Sequence, residues 1–434
     1  MKKNISRFIA ILLGLQLGTA CTPEDYTYTN NEIVDPTTID SVALIPNQHM
    51  LIADGYAQLD LRPVLFNKQR FRIPDSRIQE EWLEYITPSG QPISRHFSTS
   101  EASLIGQTIT TQVRVKGTDI ISQPVSFQIV APLEEKYMTP ITIPVIFHVI
   151  QTTEDIESYG GPYSQEKIEL LLQKLNHLFE GSASVNPVGV NTHIHFKMAE
   201  YDPDGQKMIN PGLNRATITT LDAGNIENNF ENFLVDHHLI WPADKYMNIW
   251  LISDRKNLVA DFANQVSTSC RPQYVYPGTS VQERPKGIDW QELPAGITLT
   301  AHETGIIYKL QELDVITRSF TNNSGSASAC NELAYYVGGY LGLLPTCTFD
   351  KQETGTDYCE DTIDYWGKDA GSTIRNNTWY KEEENYYFRS ENIMDDPTGL
   401  HTSISKNQCE RIRWVLENCP ERAAWKSNFA FTGQ

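Results

Sequence analysis

Between Ser41 and about Pro132, apolar and polar residues alternate in short runs. Ser41–Ile45, Ala57–Arg62, Ile109–Val115 and Val125–Val130 all carry the two-residue period of a strand with one buried face, and Asp54-Gly55 marks a turn. Several such strands within residues 38–132 predict an all-β sandwich. Past the linker Ala131–Lys136 the pattern changes. Ile141–Ile150 is a nearly continuous apolar run, as expected of a central strand buried on both faces. After Ser164, the residues Ile168, Leu171, Leu172, Leu175 and Leu178 fall at helical spacing, with Glu166, Lys167, Glu169 and Lys174 elsewhere on the surface. Thr192–Met198 and Tyr246–Ile252 read as further strands, residues 333–345 as an apolar helix, and Ser405–Leu416 as a closing helix. This succession predicts an α+β or α/β arrangement over residues 138–434.

The N-terminus has a different character. Lys2, Lys3 and Arg7 precede an apolar run from Phe8 to Leu17, followed by the small residues Gly18-Thr19-Ala20. A basic start, a short apolar core and small residues at the cut predict a signal peptide over residues 1–20. The run is too short to span a bilayer. Cys21, directly after the small residues, resembles the lipobox cysteine of bacterial lipoproteins, although Leu17 lies one place further away than the usual pattern puts it. That resemblance implies acylation at Cys21, a polar lipidated tether over residues 21–37, and a membrane-anchored exported protein at the outer membrane or cell surface.

The net charge of −19 argues against nucleic acid and against an anionic membrane surface as partners. Of seven cysteines, Cys270, Cys330, Cys347, Cys359, Cys409 and Cys419 lie beyond Cys21. An even number in an exported chain predicts disulfides, and Cys347 with Cys359, straddling a polar loop, is the preferred pair. Cys409 and Cys419 share one helical stretch, which would separate them by ~15 Å, too far to bridge. No C-x-x-C pair offers a zinc-thiolate site.

The apolar helix carries a frame. In zinc proteases, H-E-x-x-H-x-x-G-x-x-H places two His on one helix face, a Glu beside the metal, and a Gly that turns the chain toward a third His. Here the apolar scaffold and Gly342 are in register, but Tyr335, Gly339 and Pro345 stand at the His positions and Tyr336 at the Glu position. Around it lie, in order, I-P-V-I-F-H-V from Ile143, L-N-H-L-F in the first helix, a strand ending I-H-F, and Y-M-N-I-W-L. After it come Asp357-Tyr358-Cys359-Glu360-Asp361-Thr362 and Asn392-Ile393-Met394-Asp395. This ordered set resembles the pappalysin-like branch of the metzincin zinc metalloproteases, over about residues 138–425. The resemblance implies an α+β metzincin-like domain with a twisted mixed sheet, a motif helix, a Met-turn at Met394 and a C-terminal helix, and a zinc site in relatives. The strands of residues 38–132 look like a bacterial immunoglobulin-like module, a spacer or adhesive surface.

The residues at the four chemical positions do not suit the family mechanism. Gly339 and Pro345 have no side-chain donor, and the phenols of Tyr335 and Tyr336 keep their protons to about pH 10. No catalytic or metal residue is therefore expected there, and no cofactor. The leading expectation is a pseudoprotease that binds a peptide or protein. The alternatives are an active zinc endopeptidase with ligands elsewhere, and an adhesive or structural lipoprotein. For the first alternative, His193 and His195 sit two apart in a strand and could share a metal. His302-Glu303-Thr304-Gly305 mimics the start of a zinc motif without its second His. Asp357, Asp361 and Asp364 could hold a hard cation such as calcium.

Overall fold

The computed structural model describes residues 36–158, 161–181, 186–218, 231–253, 273–297, 299–310, 328–348, 357–366, 378–381, 386–389, 391–395 and 401–434. The signal peptide, Cys21 and nearly all of the tether lie outside them, as does Cys270. None of the described helices is long and apolar enough to cross a membrane.

The alternating N-terminal region forms β1 (Ile39–Pro46), β2 (Met50–Ile52), β3 (Leu59–Asn67), β4 (Leu83–Ile86), β5 (His96–Phe97), β6 (Thr108–Val115) and β7 (Val125–Val130). They make a three-stranded sheet in the order β1-β3-β5 and a four-stranded sheet in the order β2-β7-β6-β4. β2, β4 and β5 are too short for a two-residue period to mark them in the sequence. Phe97 and Phe127 bring one strand of each sheet together, their rings 5.6 Å apart.

By proximity the chain divides into two compact units. The smaller comprises the described residues up to Ala43, with Val64–Glu84 and Val113–Ser122. Its core is Ile39, Val42, Leu65, Ile73, Leu83, Val113 and Val115, tied by Ile73 N to Leu65 O (2.8 Å) and Lys116 N to Trp82 O (2.8 Å). The larger unit comprises Leu44–Pro63, Tyr85–Gln112 and the chain from Gln123 onward.

At the centre of the larger unit is β8 (Ile141–Thr152), which the long apolar run forms. β11 (Met247–Ile252) lies along one edge of β8, and β12 (Gly305–Lys309) lies beyond β11. β9 (Ile194–Met198) and β10 (Leu213–Ile218) succeed each other along the other edge, against Ile141–Val145 and Phe147–Thr152. Every described pairing in this sheet is parallel. That explains the composition of β8 and β11, which are apolar on both faces rather than alternating. Antiparallel pairing occurs elsewhere, in β6–β7 and in the hairpin of Thr378–Lys381 with Tyr386–Arg389.

Helix α1 (Gln165–Phe179) starts where Ser164 accepts a hydrogen bond from Lys167 N, and it buries Ile168, Leu171, Leu172, Leu175 and Phe179. Helix α2 (Ser328–Tyr340) packs against α1 and β12. Helix α3 (Lys406–Asn418) begins with a capping box formed by Ser405 and Gln408.

His148, on β8, shows how the sheet admits a polar residue. Its ring lies between Trp241 and Trp250, with centroids 5.4 and 5.9 Å away. Nε2 donates to Asn248 Oδ1 (2.9 Å), and Nδ1 accepts from Asn214 Nδ2 (3.1 Å), which is the bonding of a neutral ring. Burial pushes its pKa down to about 4. His148 is therefore a satisfied core residue.

Trp250 closes over Gly305, where an added Cβ would lie 2.4 Å from the indole and 2.6 Å from the Asn248 carbonyl oxygen. Backbone cannot yield as a side chain can. Gly305→Ala is expected to lower stability by about 1–3 kcal/mol, read as a reduced urea midpoint with unchanged slope.

Candidate functional site

Helix α2 is built by its buried face. Leu333, Ala334, Val337 and Tyr340, continued by Leu341 and Leu343, belong to the main apolar core. Each fully buried Leu or Val contributes about 1.5–3 kcal/mol. The residues left half-buried are Tyr335, Tyr336, Gly339 and, after the helix, Pro345. These are the four positions that the zinc-protease frame assigns to chemistry. Helical periodicity puts Tyr335, Tyr336 and Gly339 on the less buried side of α2, with both Tyr rings at the margin of the core, and Pro345 follows beyond the turn at Gly342.

The helix ends at a glycine. Gly342 has φ +86°, a left-handed conformation that favours glycine, and Leu343 N closes back onto Gly338 O at 2.9 Å. Two buried arginines satisfy carbonyls at this end, where cations are favoured. Arg422 Nε donates to Tyr340 O at 2.7 Å, with its guanidinium 3.8 Å from the Tyr340 ring centroid. Arg411 Nε donates to Gly342 O, and its Nη1 to Lys286 O at 2.7 Å.

Met394 lies directly beneath α2. A Cβ added at Gly338 would come within 2.6 Å of Met394 Sδ and 3.2 Å of Ile393 Cδ1. The turn that presents Met394 is tied from several directions. Asn392 Oδ1 accepts from Met394 N (2.9 Å), Asp395 Oδ2 accepts from Asn392 N (3.0 Å), and Asn392 and Gln408 exchange two amide hydrogen bonds. Thr346 joins it to the chain leaving the helix, donating from N to Met394 O (3.1 Å) and from Oγ1 to Asp395 Oδ1 (2.6 Å).

On the opposite side there is room. A Cβ at Gly339 would meet nothing within 4 Å. Beside it the rings of Tyr335 and Tyr336 stand perpendicular at 5.7 Å, and Tyr336 meets Tyr308 of β12 edge-on at 5.5 Å. Such pairs contribute about 0.5–1.5 kcal/mol each beyond their burial. The residues at this position do not fit a zinc ion. Neither Gly339 nor Pro345 has a donor atom, and one phenol does not make a tetrahedral set. No catalytic step is therefore derived through a metal here.

The segment after the helix carries the buried acids Asp357 and Asp361. Asp357 accepts from Cys359 N (2.9 Å) and Thr362 Oγ1 (2.8 Å). Asp361 accepts from Ser405 Oγ (2.6 Å) and Asn407 N (2.9 Å), placing a carboxylate at the start of α3. Asp364 Oδ1 accepts from Asp357 N at 3.3 Å. All three therefore cap turns and a helix. Among the described residues no group of three His, Cys, Asp or Glu is gathered for a metal ion. Burial pushes Asp357 up to about 7 and Asp361 up to about 6, against the hydrogen bonds that favour their charged forms.

Two expectations change. Cys347 and Cys359 are buried thiols and are not bridged. Cys347 opens a short strand paired with Tyr365, whereas the Cys359 thiol is turned toward Asp357 O at 3.7 Å, held there by the Asp357 turn. Cys409 and Cys419 are also buried thiols. His193 lies outside β9, at φ +54°, because Asn191 Oδ1 captures its backbone N–H at 2.7 Å. It is therefore not on a strand face with His195, whose ring lies 3.6 Å from Glu180. His302-Glu303-Thr304 forms one helical turn, in which Glu303 Oε2 accepts from Thr300 N (2.8 Å) and Oγ1 (2.9 Å). The Glu of that motif mimic is a cap.

No family model matches the chain, and no curated protein matches it. Among solved structures, it is similar to mature mirolysin of Tannerella forsythia in complex with a cleaved peptide. That match has a TM-score of 0.40 and 17% identity, and covers 67% of this chain and 97% of the other. A mutant of Tannerella forsythia promirolysin matches with a TM-score of 0.35 and 16% identity, covering 67% and 85%. At these scores the likeness carries no argument, and the site rests on its own geometry.

Two adjacent glycines should respond oppositely. Gly338→Ala is expected to cost about 1–2 kcal/mol, because overpacking against Met394 outweighs the gain in helix propensity. Gly339→Ala, facing open space, should stabilise by about 0.5–1 kcal/mol. Thermal and urea denaturation of both variants check this.

The raised carboxyl groups set a pH dependence. The folded state holds these protons more tightly than the unfolded chain. Their contribution is therefore complete below about pH 4 and is lost as pH rises through about 6 to 7. Asp357→Asn should flatten the decline in stability across that window, measured by urea titration at stepped pH.

Proposed function

We propose that this protein is an exported, lipid-anchored pseudoprotease. In this reading residues 138–434 form a pappalysin-like metzincin domain, residues 38–132 an immunoglobulin-like spacer, and Cys21 the lipid attachment point. The open side of α2 binds an extended peptide or a partner protein without cleaving it. One observation carries the proposal: Tyr335, Tyr336 and Gly339 occupy the less buried side of a helix whose buried side keeps the family scaffold, and Pro345 follows just after it. The space beside Gly339 and the position of Met394 beneath Gly338 support it. Aromatic rings in place of ligand and base favour binding by packing.

Elemental analysis of the purified mature protein is expected to find zinc well below stoichiometric amounts, and casein and gelatin should remain intact. Stoichiometric zinc together with chelator-sensitive cleavage would overturn the proposal in favour of an active endopeptidase with other ligands. Binding is checked separately with a library of immobilised peptides. Gly339→Trp, which fills the open side, should abolish capture while leaving the fold intact by circular dichroism.

A further inference from the structure

The loop between β1 and β2 touches the segment that follows α2. The Gln48 side chain is buried, and its Nε2 donates to Asp361 O at 3.2 Å while its Oε1 accepts from His49 N at 2.7 Å. His49 Nε2 lies 3.1 Å from Glu360 O, and because a carbonyl only accepts, this nitrogen carries the proton. Two consecutive side chains thus take two consecutive carbonyls of one loop. A third tie lies close by, from Ile52 N to Pro187 O at 2.9 Å. Between them is a polar cavity of about 30 Å³, lined by Gln48, Asn186, Asp361, Glu391 and Asn392 among others. Loop 46–49 and loop 357–363 belong to the same compact unit.

The contact continues inward. Asp361, gripped through its carbonyl by Gln48, uses its carboxylate to hold Ser405 and Asn407 at the start of α3. From α3, Arg411 holds Gly342 O, the turn that ends α2. Gln408 of the same helix holds Asn392 beneath α2. Each step is a hydrogen bond in which a buried side chain donates or accepts, and such bonds are lost only by leaving a buried group unsatisfied.

We infer that Gln48 and His49 form an internal latch, joining the N-terminal strands to the Glu360–Asp361 loop and through it to the start of α3 and the turn that ends α2. The latch fixes the Glu360–Asp361 loop and, through Asp361, the start of the helix whose Arg411 holds the end of α2. It therefore makes the β1–β2 loop a support for the end of α2, beyond any role as a spacer. The inference does not depend on what binds beside Gly339.

Hydrogen–deuterium exchange of the full mature chain tests it. In the double variant Gln48→Leu with His49→Ala, amides of residues 357–362 and of the first turn of α3 are expected to exchange about tenfold faster, the effect of losing ~1.4 kcal/mol of local protection. β8 and β11 should keep their protection. His49→Gln, which retains an N–H donor, should recover part of the effect relative to His49→Ala. Faster exchange confined to residues 46–52 would overturn the inference. If the double variant loses protection throughout the chain, Gln48→Leu and His49→Ala are read singly on the same segments. Unchanged exchange at 357–362 in both would refute the latch.

Discussion

Much of the larger unit depends on one close approach. Met394 can lie against the backbone of α2 because residue 338 has no side chain, and an added Cβ would fall 2.6 Å from its sulfur. With the sulfur there, Ile393 and Met394 join Val337 and Leu343 in the core, and the turn is tied to Thr346 and Gln408. The helix, the chain leaving it and the start of α3 are thereby brought to one point. Gly338 and Gly339 are neighbours in sequence, yet one faces a sulfur and the other faces open space. The 100° step of a helix is enough to give adjacent glycines opposite roles.

The same region holds its ends and turns together through specific polar partners. The carbonyls at the end of α2 are taken by Arg411 and Arg422, both buried, with the Arg422 guanidinium stacked on Tyr340. The start of α3 is held by Asp361 and Ser405. The buried acids 357 and 361 therefore serve architecture, and their raised pKa values reflect burial of carboxyl groups that also cap turns. A perturbed carboxyl often marks a functional site. Here the hydrogen bonds account for both groups without one.

Several elements were legible because their pattern is long enough to specify them. The 3.6-residue period placed α1, and Ser164 marked its start. The continuous apolar run placed β8, and the alternation of Val125–Val130 placed β7. The inward face of α2 and the less buried position of residues 335, 336 and 339 follow from the same periodicity, whereas residue 345 lies beyond the turn at Gly342. Shorter elements could not be read this way. β5 has two residues, and β12 begins within a stretch that imitates a zinc motif. The His193–His195 pairing failed because a side-chain oxygen at Asn191 captured a backbone N–H, a local competition that strand alternation does not register.

The sequence by itself determined which residues lie on which face of the long elements, and it determined that positions 335, 336, 339 and 345 lack the donors of a zinc site. Both follow from local chemistry: side-chain periodicity, and the atoms each residue possesses. Only the tertiary structure decided what meets those faces. It put Met394 under Gly338 and left Gly339 open. It paired β8 in parallel along both edges, kept Cys347 and Cys359 apart as thiols, and set Gln48 and His49 on the loop at Glu360 and Asp361, more than 300 residues away. Contacts at that separation depend on how the packed layers close around one another, and neither spacing nor composition carries that information.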